Sequence, residues 1–545
     1  MNRRDLVLQA LLVFVVALLV RILAASIVVF PQPEDTAYYV GVARNLLDGH
    51  GLTSNAIWSY QTPPLSFPRP AFEVWLPLPT FLAAIPMAAL GASFASAQWA
   101  SVLVGAFVPV LAWRSGADAA IDRGLPASRV RVLAVGAGLT AAVYLPLVLH
   151  SALPDSTMPF AVLALAACVL MPRLLRDADA GTLRLVDARL IGLGVLIGLA
   201  ALTRNEAAFV GFAWLVVVWA RKGIPGRRKL SLVLAPAAVA LAVFAPWMVR
   251  DWIEFGNPLP GQALANALSV TGFDIFAWQD PPTLSRYLAV GPAELFQMRV
   301  DGLYHNLFTV LLIPGFPASF IGLVSLPWFA RLPSVAPLAV LSVTTFLVTS
   351  LVFPVSTTWG TYLHAAGPAH VLLIVSALLG LDAFIAWVGV RRGWTRPVAW
   401  LGAALTVSAS LLFLAAPTGM PFVGGQSQAL ATRYTAIEEA LAAMGRPVSQ
   451  EPPIITNFPI WLGVATGAEA LALPNESPAA VADLAEHFGS RLLVMVGDEH
   501  GIWPATLADG GPGTDCFHEL DVPTPADAKH AEALSDIRVF EVDCP

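Results

Sequence analysis

The sequence predicts a polytopic α-helical membrane protein with about eleven transmembrane helices. It also predicts amphipathic interfacial helices in a first outer loop and a small α/β extracytoplasmic domain at the C-terminal end. Three observations carry this. Of 545 residues, 57% are hydrophobic and only 12% charged, against about 25% charged in a soluble globular chain. The apolar residues gather in runs close to the ~20 needed to cross a ~30 Å hydrocarbon core. The basic residues between those runs crowd into alternate connections.

The runs are roughly 6–30, 95–113, 132–149, 157–171, 190–203, 207–220, 230–249, 303–330, 335–353, 362–388 and 397–416. Arg3 and Arg4 precede the first, and no small-residue cleavage site follows a short core. That pattern reads as a retained first helix and not as a signal peptide. A further apolar stretch, 72–90, is decided by charge. With 72–90 lying along the outer surface, the inner segments 1–5, 114–131, 172–189, 221–229, 331 and 391–396 hold 19 of the 31 basic residues. Making it a span would turn the next three Arg-rich loops outward, so it is expected to be an interfacial helix.

This topology places 31–91, 250–302 and about 420–545 outside, and divides the chain into a transmembrane domain, 1–419, and a soluble domain, 420–545. The second has its own pattern. Residues 427–445 and 478–488 are helix-like, while 453–456 and 491–496 are strand-like, which suggests a small α/β fold. A net charge of −6 argues against a nucleic-acid partner. The basic residues are 28 Arg and 3 Lys, which reads as a GC-rich genome. Cys168 sits in an apolar run as a small hydrophobe. Cys516 and Cys544 both fall in the outer domain, where a disulfide between them is expected.

The first outer loop carries the chemistry. A carboxylate pair, Glu34–Asp35, directly follows the first apolar run, and a helix with Tyr38, Tyr39, Val42, Ala43, Leu46 and Leu47 at helical spacing comes next, ended by Gly49 and Gly51. Asp35 is placed either to cap that helix through its first-turn amides or to act as a base.

The stretch from Asp35 to Leu52 resembles the first-loop motif of the GT-C glycosyltransferases, in the branch of lipid A aminoarabinose transferase and the protein O-mannosyltransferases. Asp35, Tyr38, Tyr39, Ala43, Arg44, Asn45, Leu46, Leu47, Gly49 and Gly51 fall in register with it; Thr36 stands where the family usually has Glu. Further fragments agree in order: Pro68–Trp75 (PRPAFEVW), Ala152–Met158 (ALPDSTM), Gly198–Glu206 (GLAALTRNE), Pro246–Gly256 (PWMVRDWIEFG) and Thr456–Pro474 in the tail.

The resemblance implies transfer of a sugar from a polyprenyl-phosphate carrier to an acceptor hydroxyl, inverting the anomeric centre, at the outer face of the cytoplasmic membrane. Such a reaction needs a carboxylate to take the acceptor's proton and cations to meet the charge gathering on the departing phosphate. By resemblance Asp35 is the general base, with Asp155 as a second acid and Glu34 as a neighbouring one. Arg204, Arg69, Arg250 and Arg44 are the candidate phosphate ligands, because a guanidinium fork binds phosphate oxygens bidentately. Tyr38, Tyr39 and Glu73 would line the sugar or acceptor pocket.

Arg21 lies inside the first run and would either snorkel, pair with an acid or touch the donor phosphate. The nine His form no metal signature; His150, His305, His364 and His370 fall near the outer surface, where they would either meet in space or stand as isolated interfacial residues, and isolation is the expectation. No cofactor is required, and a divalent metal is compatible with the superfamily. The expected partners are the lipid-linked donor, membrane lipids and a lipid, glycan or protein acceptor. The rival reading is a lipid or sugar transporter, which should show repeated halves with broken helices; the sequence shows neither.

Overall fold

The computed structural model describes residues 3–394 and 398–543. Each of the eleven apolar runs falls on helix. Among the described residues six helical segments are long and apolar enough to cross a membrane: Arg4–Ile27, Phe94–Asp122, Thr157–Asp179, Gly226–Phe255, Gly367–Arg391 and Trp400–Ala443, the last interrupted by a turn between Ala415 and Met420. Ala127–Ala142 and Leu145–Ala152 pass the same test together but meet at a 59° bend. The four remaining runs fall on shorter apolar helices, Ala188–Ala201, Ala207–Trp219, Ala318–Phe329 and Ala336–Leu351. At 1.5 Å per residue each of these is about 18–24 Å long, less than the ~30 Å core. The chain is a multi-pass membrane protein that mixes full-length and short apolar helices. Helix Leu78–Leu90, the stretch that charge assigned to the interface, is likewise too short to span by itself.

The bend at 143–144 explains Arg21. Its side chain is fully buried, and Nη1 donates to the carbonyls of Ala17 and Ala142 while Nε donates to Ser151 Oγ at 3.0 Å. A break in a helix frees carbonyls that must find donors inside a bundle, and Arg21 supplies one to Ala142. It clamps the bent pair from within and does not line the cavity described below, so of the three alternatives the sequence left for Arg21, contact with the donor phosphate has no support here. Gly105 allows the close approach: a Cβ there would sit 2.2 Å from Ser151 Oγ.

The first loop and the C-terminal residues fold together. Helix Glu34–Leu47 is followed by strands β1 (Thr53–Ser54), β2 (Ala56–Ile57) and β3 (Arg69–Pro70); β4 (Ile454–Thr456), β5 (Ala470–Ala472), β6 (Leu492–Val496), β7 (Phe517–Leu520) and β8 (Ile537–Val542) come from the tail. One six-stranded sheet runs β2-β5-β4-β6-β8-β7, parallel from β2 to β6 and antiparallel from β6 to β7. Its edge strand β2 is thus donated by the first loop, with Ala56 opposite Ala470. Tyr38, Trp58 and Phe72 of the loop share a core with Ile455, Leu471, Leu493 and Trp503 of the tail. Strands β4 and β5, which neighbour β2, have three residues each and bury little by themselves, and the tail completes its core with the loop it covers.

On the other face lies helix Met420–Ala443, where Tyr434 stacks on Phe30 with ring centroids 5.5 Å apart. The expected boundary at 419/420 falls on the turn between helices Trp400–Ala415 and Met420–Ala443. Cys516 is buried beside β7; its expected partner Cys544 lies outside the described residues.

Candidate active site

Helix Glu34–Leu47 starts at Pro33, which makes no side-chain cap, and both acids stand in its first turn, where the helix dipole favours negative charge. Asp35 is therefore inside the helix and not at its cap. Its carboxylate, 24% exposed, faces His364, whose Nε2 lies 3.3 Å from Asp35 Oδ2. The capping role gives way to a pairing with a residue 329 positions away in the chain.

Behind His364 stands Asp155. Its Oδ2 is 3.4 Å from His364 Nδ1 and 3.4 Å from His150 Nδ1, and its Oδ1 accepts from Thr157 N at 2.8 Å. Thr157 Oγ1 meets His364 Nδ1 at 2.8 Å. The three groups come from the bent pair, the turn before Thr157–Asp179 and the short helix Thr361–Ala365. Burial pushes the Asp155 carboxyl upward, but hydrogen bonds from His150 and His364 outweigh it and hold the group well below the usual carboxylate range. His364 precedes the span Gly367–Arg391. Burial works against its charge, and Asp35 and Asp155 overcome that and raise its pKa.

Asp35 and His364 open onto a cavity of about 510 Å³ that is also lined by Tyr39, Glu73, Arg204, Glu206 and Asp251. Trp58, Trp75 and Trp359 add aromatic wall, and the Trp58 and Trp75 rings pack 4.5 Å apart. Such a mixture, apolar faces with a few convergent polar groups, is the usual make-up of a small-molecule site.

Arg204 reaches the cavity from the turn between Ala188–Ala201 and Ala207–Trp219, but it is already engaged. Nε and Nη2 grip Glu206 at 3.1 and 2.9 Å, Nη1 donates to Ser156 Oγ at 2.9 Å, and Nη2 also donates to Thr361 O at 3.1 Å. Of its five N–H groups one is left for a ligand, and Glu206 offsets part of its charge.

The other expected arginines stand elsewhere. Arg69 is fully buried, donating to the carbonyls of Thr62 and Pro64 and lying 3.6 Å from Glu73. It folds the loop and is not on the cavity wall. Arg250 lies over the Trp247 and Phe255 rings with Nη1 3.1 Å from Asp251; Asp251, and not Arg250, lines the cavity. Arg44 is on the far side of its helix, donating to Val464 O at 3.0 Å. Sequence reasoning assigned charge without direction, and only Arg204 points inward.

Glu34 also turns away. Its Oε1 accepts from Ile460 N at 3.1 Å, and burial pushes its carboxyl up to about 8 against that hydrogen bond. It joins the first loop to helix Pro459–Thr466. Tyr39 and Glu73 line the cavity, whereas Tyr38 accepts from Phe72 N at 2.6 Å and faces a second cavity. Burial raises the Glu73 pKa, with Arg69 acting against it.

His150 and His364 correct the reading of isolated histidines: their rings lie 5.6 Å apart around Asp155. His370 is separate, packed against Tyr144. His150 stands five residues before Asp155, a spacing that hints at a pair; His364 has no local signal. The ligand atoms of His150, Asp155 and His364 lie within 4.8 Å of one another. Two imidazoles and a carboxylate suit a borderline metal such as zinc, so this donor set fits a divalent cation as well as a hydrogen-bonded relay.

No family model matches this sequence, and no curated protein matches it. Solved structures are similar along nearly all of it. ArnT from Cupriavidus metallidurans in the apo state aligns with a TM-score of 0.54 at 14% identity, over 98% of this chain and 98% of that one. The same protein bound to undecaprenyl phosphate aligns with a TM-score of 0.54 at 14% identity, over 98% and 99%. The Archaeoglobus fulgidus oligosaccharyltransferase in complex with Zn and sulfate aligns with a TM-score of 0.51 at 14% identity, over 93% of this chain and 71% of that one. Identities this low speak to architecture alone, and this chain shares the fold of these solved structures along nearly its whole length.

Proposed function

We propose that this protein transfers a sugar from a polyprenyl-phosphate carrier to an acceptor hydroxyl, with inversion, at the outer face of the cytoplasmic membrane. The observation that carries the reading is the line Asp155–His364–Asp35, which delivers a positioned carboxylate to the cavity wall that also bears Arg204.

The acceptor hydroxyl gives its proton to Asp35 as its oxygen attacks the anomeric carbon. The bond from that carbon to the phosphate oxygen breaks, and the phosphate keeps the electron pair. Attack opposite the departing group inverts the centre. His364 orients the Asp35 carboxylate through Nε2, and Asp155, fixed by His150 and Thr157, orients His364. Arg204 offers its remaining N–H and residual charge to the phosphate. A divalent cation held by His150, Asp155 and His364 would add positive charge beside Asp35.

The charge pattern supports this side of the membrane. The Arg-rich turns 114–131, 172–189 and 221–229 lie at the helix ends opposite Asp35 and Asp155, and such turns stay inside. The undecaprenyl phosphate held by the similar ArnT structure supports a polyprenyl carrier here.

The test is turnover by the full chain in liposomes with a panel of undecaprenyl- and dolichyl-phosphate sugars. The expected result is release of lipid phosphate, coupled to glycosylation of an added lipid, glycan or peptide hydroxyl. Lipid-linked sugar crossing the bilayer with no phosphate released would hand the chain to the transporter reading.

A further inference from the structure

A second cavity, about 580 Å³, lies across helix Glu34–Leu47 from the first. Arg44, Asn45 and Asp48 reach it from the last turn of that helix, His50 and Asn55 from the loop behind, and Glu469 from the start of β5. We infer that it is a glycan-binding subsite, which holds the outer part of a neutral oligosaccharide acceptor.

The polar groups are arranged as fixed partners and free ones. Asn45 Nδ2 donates to Thr53 O at 2.9 Å and to Asn55 Oδ1 at 2.8 Å, and Asn55 Nδ2 donates to Gly467 O at 3.2 Å. Arg44 is anchored on Val464 O. This ladder is internally satisfied and gives the floor a set shape. Among the described residues, the side chains of Asp48, His50 and Glu469 meet no hydrogen-bond partner, and all three are exposed. Val42, Phe67, Ile460 and Val464 supply apolar surface between them.

That combination selects its ligand by elimination. A phosphate or other anion would face two carboxylates. A simple cation would face Arg44. An apolar molecule would strip water from every one of these groups without replacing it. A peptide pairing by strand addition needs an edge, and the edge here is the two-residue β2. A sugar ring carries hydroxyls that both donate and accept, which serves carboxylates, imidazole, amide and guanidinium at once, and its C–H face packs on Phe67.

The place of the cavity gives it a purpose. Asp35 stands in the first turn of the helix and Arg44 to Asp48 at its end, about 14–20 Å further along at 1.5 Å per residue. A glycan seated there and reaching Asp35 is longer than one sugar. That purpose rests on the transferase reading; the binding does not.

The experiment is calorimetric titration of the full chain in lipid nanodiscs with three neutral hexaoses: α-1,6-linked mannose, β-1,4-linked glucose and β-1,4-linked galactose. At least one should bind. The double variant Asp48→Asn/Glu469→Gln should weaken it at least about tenfold, the loss of charge-assisted hydrogen bonds, while Glu519→Gln, on the far edge strand β7 of the sheet, leaves it unchanged. Binding of none of the three, wild-type affinity in the double variant, or loss of binding in Glu519→Gln would each overturn the proposal, as would preference for a hexapeptide or for inorganic phosphate. Lipid-phosphate release with no hexaose bound would sink this site and leave the transferase reading standing. Hexaose binding with no release from any donor would do the reverse.

Discussion

Two buried aspartates stand at opposite ends of the helix bundle, and their partners differ in kind. Asp382 is gripped by Arg129, whose Nε donates to Oδ1 at 3.0 Å and whose Nη2 holds Oδ2, while Arg123 Nη1 lies 3.4 Å from Oδ2. Asp155 is held by His150 and His364, each at 3.4 Å. Both carboxylates are almost fully buried, at 4% and 1% exposed. The Asp382 cluster uses permanently charged donors and ties the turn after Phe94–Asp122 to helix Gly367–Arg391. The Asp155 cluster uses imidazoles, a side chain able to exchange a proton, and one of them, His364, continues to Asp35 on the wall of a cavity. A locked ion pair holds helices together; a titratable line can carry a proton.

The largest expected effect sits at the open end of that line. Asp35→Asn keeps the size and polarity of the side chain but cannot take a proton. With folding intact, transfer should fall by the ~10²–10⁴ that a general base supplies. Glu34→Gln should cost far less, because Glu34 faces Ile460 N and not the cavity. Single-turnover assays of both variants decide it: wild-type rates in Asp35→Asn would reduce the His364 contact to structure. A dead Glu34→Gln beside an active Asp35→Asn would move the base by one residue.

Arg204 mixes the two modes, an arginine on the cavity that is paired as tightly as those around Asp382. Arg204→Ala should weaken donor binding by roughly one to two decades, the value of one charge-assisted hydrogen bond at about 1.5–3 kcal/mol. Arg204→Lys should keep part of the affinity. Glu206→Gln sharpens the point, since freeing Arg204 from its partner should tighten a phosphate ligand. Titration with polyprenyl phosphate measures all three, and unchanged affinity in Arg204→Ala would make the Arg204–Glu206 pair purely structural.

Asp382→Asn should do the opposite of Asp35→Asn. Turnover per folded molecule should hold while stability drops by about 1–3 kcal/mol, the cost of donors left poorly met. The drop stays below the 3–5 kcal/mol of a fully buried pair because Arg123 and Arg129 are 22% and 27% exposed and can turn to water. Cys168, free and buried, reports unfolding to a thiol-reactive dye. A loss of turnover at unchanged stability would erase the contrast between the clusters.

How much of this was legible in the sequence follows the range of each interaction. Helix positions came through because apolar runs are local, and β4 and β6 appeared where short apolar segments suggested strands. Asp35 came through on a local motif. His364 did not, because its pairing with Asp35 spans most of the chain and no pattern marks it. Arg69 and Arg44 were misdirected because a basic residue in an outer loop looks the same whether it clamps carbonyls or meets phosphate. β2 was invisible for a related reason: two residues make no periodicity, and only the tail gives them a sheet to join.

The smallest effect tests the comparison through pH. The fold favours the charged form of His364, so its contribution to stability is fully present below the free imidazole value of about 6.5. It is lost as pH climbs through the raised value of the folded site. Asp155 runs the other way. The fold favours its carboxylate, so its contribution is present above the free value of about 3.9 and fades only as acid reaches the lowered value. Wild-type thermal stability, followed at Cys168, should therefore decline on the alkaline side as His364 releases its proton between Asp35 and Asp155, on top of the decline that ionisation of the buried Glu34 brings. His364→Gln should start lower and lose the His364 part of that decline, since an amide donates a hydrogen bond but does not titrate, while the part due to Glu34, raised to about 8, stays in both. Asp382→Asn should lower the whole curve and keep its shape, because arginine stays charged throughout this range. Parallel curves for wild type and His364→Gln would mean that the Asp155 line does not exchange a proton near neutrality, and that both buried aspartates serve only to hold helices together.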